Sequence, residues 1–141
     1  MISPKRPMQI ELADFIGCWR VERAIRHADG TEAQFQGTAT WTPDGTDALY
    51  VENGRLSMAG GTSSHAERRY VWDHALNVYF DDGRFFHSVS VVGNQSTHDC
   101  APDTYCVDYD FGEWPTFRVV WHVTGPRKDY VSNTIYTRQP D

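Results

Sequence analysis

Apolar and polar residues alternate along most of this chain with a period of two. Between positions 18 and 26, Trp19, Val21, Arg23 and Ile25 share one face, and Arg20, Glu22 and Arg26 share the other. Such alternation marks a strand with one packed and one solvated side. The same reading predicts strands at 31–42, 46–57, 65–73, 77–80, 84–92, 103–111, 116–124 and 129–138. Turn chemistry separates them: "HADG" at 27–30, "PDG" at 43–45, the flexible "GGTSS" at 60–64 and a further Asp-Gly at 82–83. Asp-Gly supplies the positive φ that a tight hairpin needs. A polar loop is expected before 103. "QIELADFIG" reads as a short helical turn or plug, and residues 1–8, with Pro4 and Pro7, as a loose arm.

No segment between these strands is long enough to hold a crossover helix, so antiparallel pairing is expected. An antiparallel meander of nine or ten strands has two free edges, and closing into an up-and-down barrel removes them. The expected fold is therefore all-β, an up-and-down antiparallel barrel forming one domain over residues 9–141.

Composition narrows the function. At 141 residues with 13% aromatics, the chain suits one small β-rich core. A net charge of −6 and the absence of a basic stripe argue against a nucleic-acid or acidic-membrane partner. No apolar run approaches a membrane span and the first twenty residues lack a signal-peptide core, so a cytoplasmic protein is expected. Cys18, Cys100 and Cys106 are odd in number and form no C-x-x-C. Free thiols fit better than a disulfide framework, with a Cys100–Cys106 bridge left open.

Gly17-x-Trp19 at the start of the first strand resembles the lipocalin and calycin superfamily, which implies a basic residue late in the last strand stacking on that Trp. Arg138 is placed to do so. The ordered blocks "FIGCW", "YVENG", "RRYVW", "FDDGRFFH", "HDCAPDTY" and "GPRKDYVSNTIYTR" resemble domain-of-unknown-function family 6314 across nearly the whole chain. That resemblance implies a small lipocalin-like β-barrel and carries no activity, substrate or catalytic residue.

Function must then come from polar residues on the expected wall. Alternation groups Phe85, His87 and Val89 on one face, against Arg84, Phe86 and Ser88. It groups Asp103, Tyr105, Val107 and Tyr109 on another, and turns His122 outward. One reading gathers a pocket at one barrel end: His87 and His98 as titratable groups, Tyr105 and Tyr130 as hydroxyl donors, Asp103 beside them. Arg23, Arg84 or Arg127 would hold a carboxylate or phosphate, since a guanidinium fork matches such anions. The plainer reading makes His87 a satisfied core histidine, "HDCAPD" a structural loop and Arg84 a turn residue. His87, His98 and Cys100 lack paired-ligand spacing, so no metal or other cofactor is expected.

Three functions compete. A binding protein would hold an apolar or aromatic, anionic molecule in the barrel. An enzyme would use the same pocket for lyase, isomerase or cyclase chemistry, with His87 or His98 as base, Tyr105 or Tyr130 as acid, and Arg84 or Arg23 as anchor. An interaction module, for instance a homodimer, would have a filled barrel.

Overall fold

The structure, a computed structural model, describes residues 10–91, 96–100 and 103–140, with 96–100 described by their backbone. The arm expected at 1–8 lies outside the described residues. The alternating segments form β1 (Gly17–His27), β2 (Glu32–Asp44), β3 (Asp47–Met58), β4 (Ser63–Trp72), β5 (Asn77–Phe80), β6 (Phe85–Ser88), β7 (Ser96–Cys100), β8 (Asp103–Glu113), β9 (Thr116–Thr124) and β10 (Asp129–Arg138). All ten lie in one sheet, in the order β6-β5-β4-β3-β2-β1-β10-β9-β8-β7. Neighbours pair antiparallel throughout, and β10 closes back on β1 with Val21 opposite Tyr136 and Arg23 opposite Thr134. The edge strands β6 and β7 lie side by side, with no ladder between them among the described residues, so the up-and-down barrel is nearly closed.

Two segments differ from the sequence pattern. The strand expected over 84–92 ends at Ser88, and the polar loop expected before 103 contains β7, whose register sets His98 opposite Tyr105. Both are edge strands. β6 pairs only with the four-residue β5, which limits its length, and β7 pairs with β8, whose ladder is made by backbone groups and sets no requirement on the polar sequence "STHDC". A register shift between Val78 and Tyr79 also breaks the alternation of β6. Phe86 and His87 are consecutive and both buried, whereas Phe85 is 47% exposed. A bulge turns neighbouring side chains to one side in this way.

The floor of the barrel is aromatic. Helix α1 (Leu12–Phe15) enters it as a plug, and Phe15 is fully buried among Trp19, Trp41, Trp72, Phe111, Trp114 and Phe117. The Trp19 indole N–H donates to the Phe15 carbonyl at 2.8 Å. Arg138 lies over the Trp19 ring at 4.8 Å and donates to the carbonyls of Asp14 (2.8 Å) and Ile16 (2.6 Å), which fastens the plug to the last strand. Gly17 makes room for it: its φ is +127°, and a Cβ there would sit 3.1 Å from the Arg138 guanidinium. Because Arg138 is exposed, Arg138→Ala should cost only about 1–2 kcal/mol of unfolding free energy, read by urea denaturation.

The backbones of β2 and β3 approach closely where Gly37 and Gly54 face each other. A Cβ on Gly37 would lie 2.1 Å from the Asn53 carbonyl oxygen, and one on Gly54 would lie 2.6 Å from the Phe35 ring. Glycine in a strand commonly marks such a close approach.

Candidate functional site

Above the aromatic floor the inward positions turn polar. Period two carries Arg23 inward on β1 and Glu52 inward on β3, with β2 between them. On the inward face of β2, Phe35 stands opposite Arg23 and Ala39 opposite Glu52, and the two charged side chains meet across that strand. They form a bidentate ion pair, with Nη1–Oε1 at 2.7 Å and Nη2–Oε2 at 2.9 Å, and their side chains are only 5% and 2% exposed. Arg23 Nε donates to the Thr134 hydroxyl at 2.8 Å. The Tyr50 hydroxyl donates to Glu52 Oε2 at 2.5 Å and lies 2.9 Å from that of Tyr136.

This network is charged. Burial alone would raise the Glu52 carboxyl, but the Arg23 hydrogen bonds and charge, aided by the Arg68 charge and the Tyr50 hydroxyl, hold it below its ordinary range. Burial likewise opposes the Arg23 charge, and the Glu52 hydrogen bonds and charge outweigh it. Burial, with the Glu52 charge beside it, pushes the Tyr136 phenol up to about 12, so it stays protonated.

His87 reaches this layer from β6. Its Nε2 lies 2.9 Å from the Tyr109 hydroxyl, inside the barrel. Burial keeps that phenol well above its ordinary value. His87→Ala would leave the buried Tyr109 hydroxyl without this partner, and should cost about 1–3 kcal/mol by denaturant titration.

A cavity of about 20 Å³ lies between these groups, lined among others by Arg23, Glu52, Arg68, Tyr70, His87 and Tyr109. That is room for about one water molecule. Over it stands the half-buried Arg68, opposite Glu52 in the β3–β4 register. The Arg68 guanidinium lies 5.1 Å from the centre of the Trp121 ring and makes no hydrogen bond or ion pair among the described residues. Tyr70, Phe86, Tyr105 and Trp121 form the aromatic collar around this end, each ring within 5.9 Å of Phe86 or of a neighbour in the collar. A larger concavity, about 640 Å³, lies on the outer face around Ala24, Gln34, Val131 and Asn133. It is open to solvent, and its charged groups Arg26 and Glu32 pair with each other at 2.8 Å.

The residues singled out from the sequence separate into three groups. Arg23 and His87 lie in the interior, where Arg23 is neutralised by Glu52 and His87 meets Tyr109 rather than Asp103 or Tyr105. Tyr105, Tyr130 and Asp103 lie near one barrel end. Lys128 Nζ sits 3.2 Å from Asp103 and donates to Tyr105 at 3.4 Å, and Tyr130 packs on His27. Arg84 and Arg127 are exposed, Arg84 pairing with Asp82 at 2.7 Å in the β5–β6 turn. The His98 side chain lies outside the described residues, as does that of Cys100. Glu52 and Arg68 were missed by the sequence reading. Alternation would have found both, since Glu52 shares the face of Tyr50, and Arg68 that of Tyr70 and Trp72.

Among the described residues no cluster of His, Cys, Asp and Glu is arranged to hold a metal ion, and no helix is long and apolar enough to cross a membrane. The fold is similar to that of an S-type phycobiliprotein lyase from Guillardia theta, with a TM-score of 0.67 over 96% of each chain and 8% identity. A de novo designed fluorescence-activating β-barrel gives a TM-score of 0.48 at 15% identity, covering 91% of this chain and 96% of that one. Comparison with curated proteins gives no match. Residues 15–138 match the family of unknown function DUF6314, which confirms the resemblance seen in the ordered sequence blocks, and the chain belongs to that family.

Proposed function

We propose that this protein binds a small organic molecule inside the upper half of the barrel, between the Arg23–Glu52 layer and the aromatic collar. One observation carries the reading: Arg23, Glu52, Arg68, Tyr70, His87 and Tyr109 converge on a single interior void. A barrel that served only as a filled core would gain by being apolar there, because replacing buried ion pairs by packed hydrophobes is often neutral or stabilising. A pocket with apolar walls and a few convergent polar groups is the usual form of a small-ligand site.

The void itself holds about one water, so a ligand enters only if the collar moves. Arg68 is the side chain freest to do so. It is held by one cation–π contact, worth about 0.5–2 kcal/mol, and the barrel seam between β6 and β7 has no ladder to break. The neutral aromatic probe naphthaleneacetamide tests the reading. Titrated into the protein labelled with ¹⁵N, it should move the amide signals of Arg68, Tyr70, His87, Tyr109 and Trp121 with one saturable isotherm. Shifts confined to the outer face around Ala24 and Val131, or none at all, would contradict it.

A second reading places acid–base chemistry in the same interior, favoured by the His87–Tyr109 contact at the cavity wall. In this structure the anchors named for that reading, Arg23 and Arg84, each pair with a carboxylate of the chain. Turnover of a small organic acid with a pH profile abolished in His87→Gln would support it over simple binding. A cytoplasmic location remains part of the proposal.

A further inference from the structure

Resting on the interior-binding reading, the geometry points to an organic anion as the ligand, with Arg68 taking its charged group and the phenol of Tyr70 completing the contact.

The argument begins with the interior charges. Arg23 and Glu52 satisfy each other through two hydrogen bonds, which leaves Arg68 as an inward guanidinium without a carboxylate among the described residues. At the same end Asp103 is held by Lys128. Among the described residues the interior therefore carries one more positive than negative charge, inside a protein whose net charge is −6. A charge in a half-buried, low-dielectric setting interacts more strongly than one in water. Five N–H donors in a fixed fork, none of them engaged, fit a planar carboxylate or a tetrahedral oxyanion.

The surrounding groups match. Tyr70 is inward on β4, next to Arg68 on that face, and its hydroxyl makes no hydrogen bond among the described residues. Burial raises the Tyr70 phenol, and the Arg68 charge offsets part of that rise, so the phenol lies within reach of that charge and stays protonated as a donor. Trp121, Tyr105 and Phe86 supply aromatic faces for the remainder of the molecule. Arg68 already rests on one of these faces, the position a ligand ring would share with it.

A matched pair of probes separates this inference from the reading beneath it. Naphthaleneacetate and naphthaleneacetamide have nearly the same shape and differ in charge. By isothermal titration at neutral pH, the wild-type protein should bind the carboxylate about tenfold more tightly than the amide. Arg69→Gln removes the same charge one residue along β4 from a side chain that faces outward and pairs with Glu67, and should leave that ratio intact. Arg68→Gln should reduce the ratio to within about twofold, and Arg68→Lys, which keeps the charge without the fork, should give an intermediate ratio. Equal affinity for the two probes in wild type, or a preference that survives in Arg68→Gln, would overturn the anion proposal while leaving interior binding in place. Binding of neither probe would overturn both. The wild-type ratio requires no variant, so the proposal stays testable whatever a substitution does to folding.

Discussion

Glu52→Ala is expected to destabilise the protein by about 3–5 kcal/mol, the usual cost of removing one partner from a buried ion pair. The reason lies in what remains. Arg23 is 6% exposed, and with Glu52 gone its guanidinium keeps only the Thr134 hydroxyl. Tyr50 loses its acceptor at the same time. Denaturant titration should show a lower midpoint. The paired replacement Arg23→Met with Glu52→Leu should recover most of the loss, because two packed apolar side chains need no compensation in that layer.

The same carboxylate gives a pH signature. Its pKa is held below the ordinary 4.5 in the folded protein. A depressed carboxyl contributes stability that is complete above the unfolded-state value and disappears as the pH falls through the folded one. The stability gap between wild type and Glu52→Gln should therefore be constant above about pH 4.5 and close progressively below it. A gap that stayed constant into strong acid would mean that folding leaves the Glu52 carboxyl unshifted, and a gap that widened there would mean that the fold holds it protonated.

The second large effect is expected at the floor. Phe15→Ala should cost about 3–5 kcal/mol, as truncating a large buried aromatic does. Phe15 is fully buried, with ring centroids of six other aromatics between 5.1 and 6.4 Å away. It comes from a helix of four residues, too short to hold its own shape without that packing. The urea midpoint should fall, with a loss of the near-ultraviolet circular dichroism of Trp19 and Trp41. A cost below about 1 kcal/mol would show that the plug is replaceable and that the barrel floor closes by strands alone.

The barrel was readable in the sequence because it rests on two local signals, period-two alternation and Asp-Gly turns. Both survive in β1, where buried and exposed residues alternate from Trp19 to Ala24. They fail where a strand has a partner on one side only. β7 is polar throughout, and β6 carries a bulge that turns Phe86 and His87 inward together. The Arg138–Trp19 closure was legible through the lipocalin resemblance of Gly17-x-Trp19, and the barrel sets the two residues opposite each other.

The site was only half legible. Arg23 and His87 were found because they interrupt apolar faces. What neutralises Arg23 is Glu52, two strands away in the sheet, and that pairing is a three-dimensional property. Arg84 is one of three arginines whose fork suits an anion, and in the structure it is exposed in its turn and paired with Asp82. Arg68 sits beside Arg69 in the sequence, and nothing in the residue types separates the two. Alternation sends the two in opposite directions, Arg69 to Glu67 and solvent, Arg68 to Trp121 and the interior.

The central claim is that a small molecule occupies the barrel between the Arg23–Glu52 layer and the collar. The most direct measurement is a crystal structure of the protein grown with naphthaleneacetate. The account predicts density for the naphthyl ring inside the collar, beside Trp121 and Phe86, with the carboxylate on the Arg68 guanidinium. An interior that stays filled by its own aromatic side chains, with the probe absent or seated only in the outer groove around Ala24 and Val131, would contradict it.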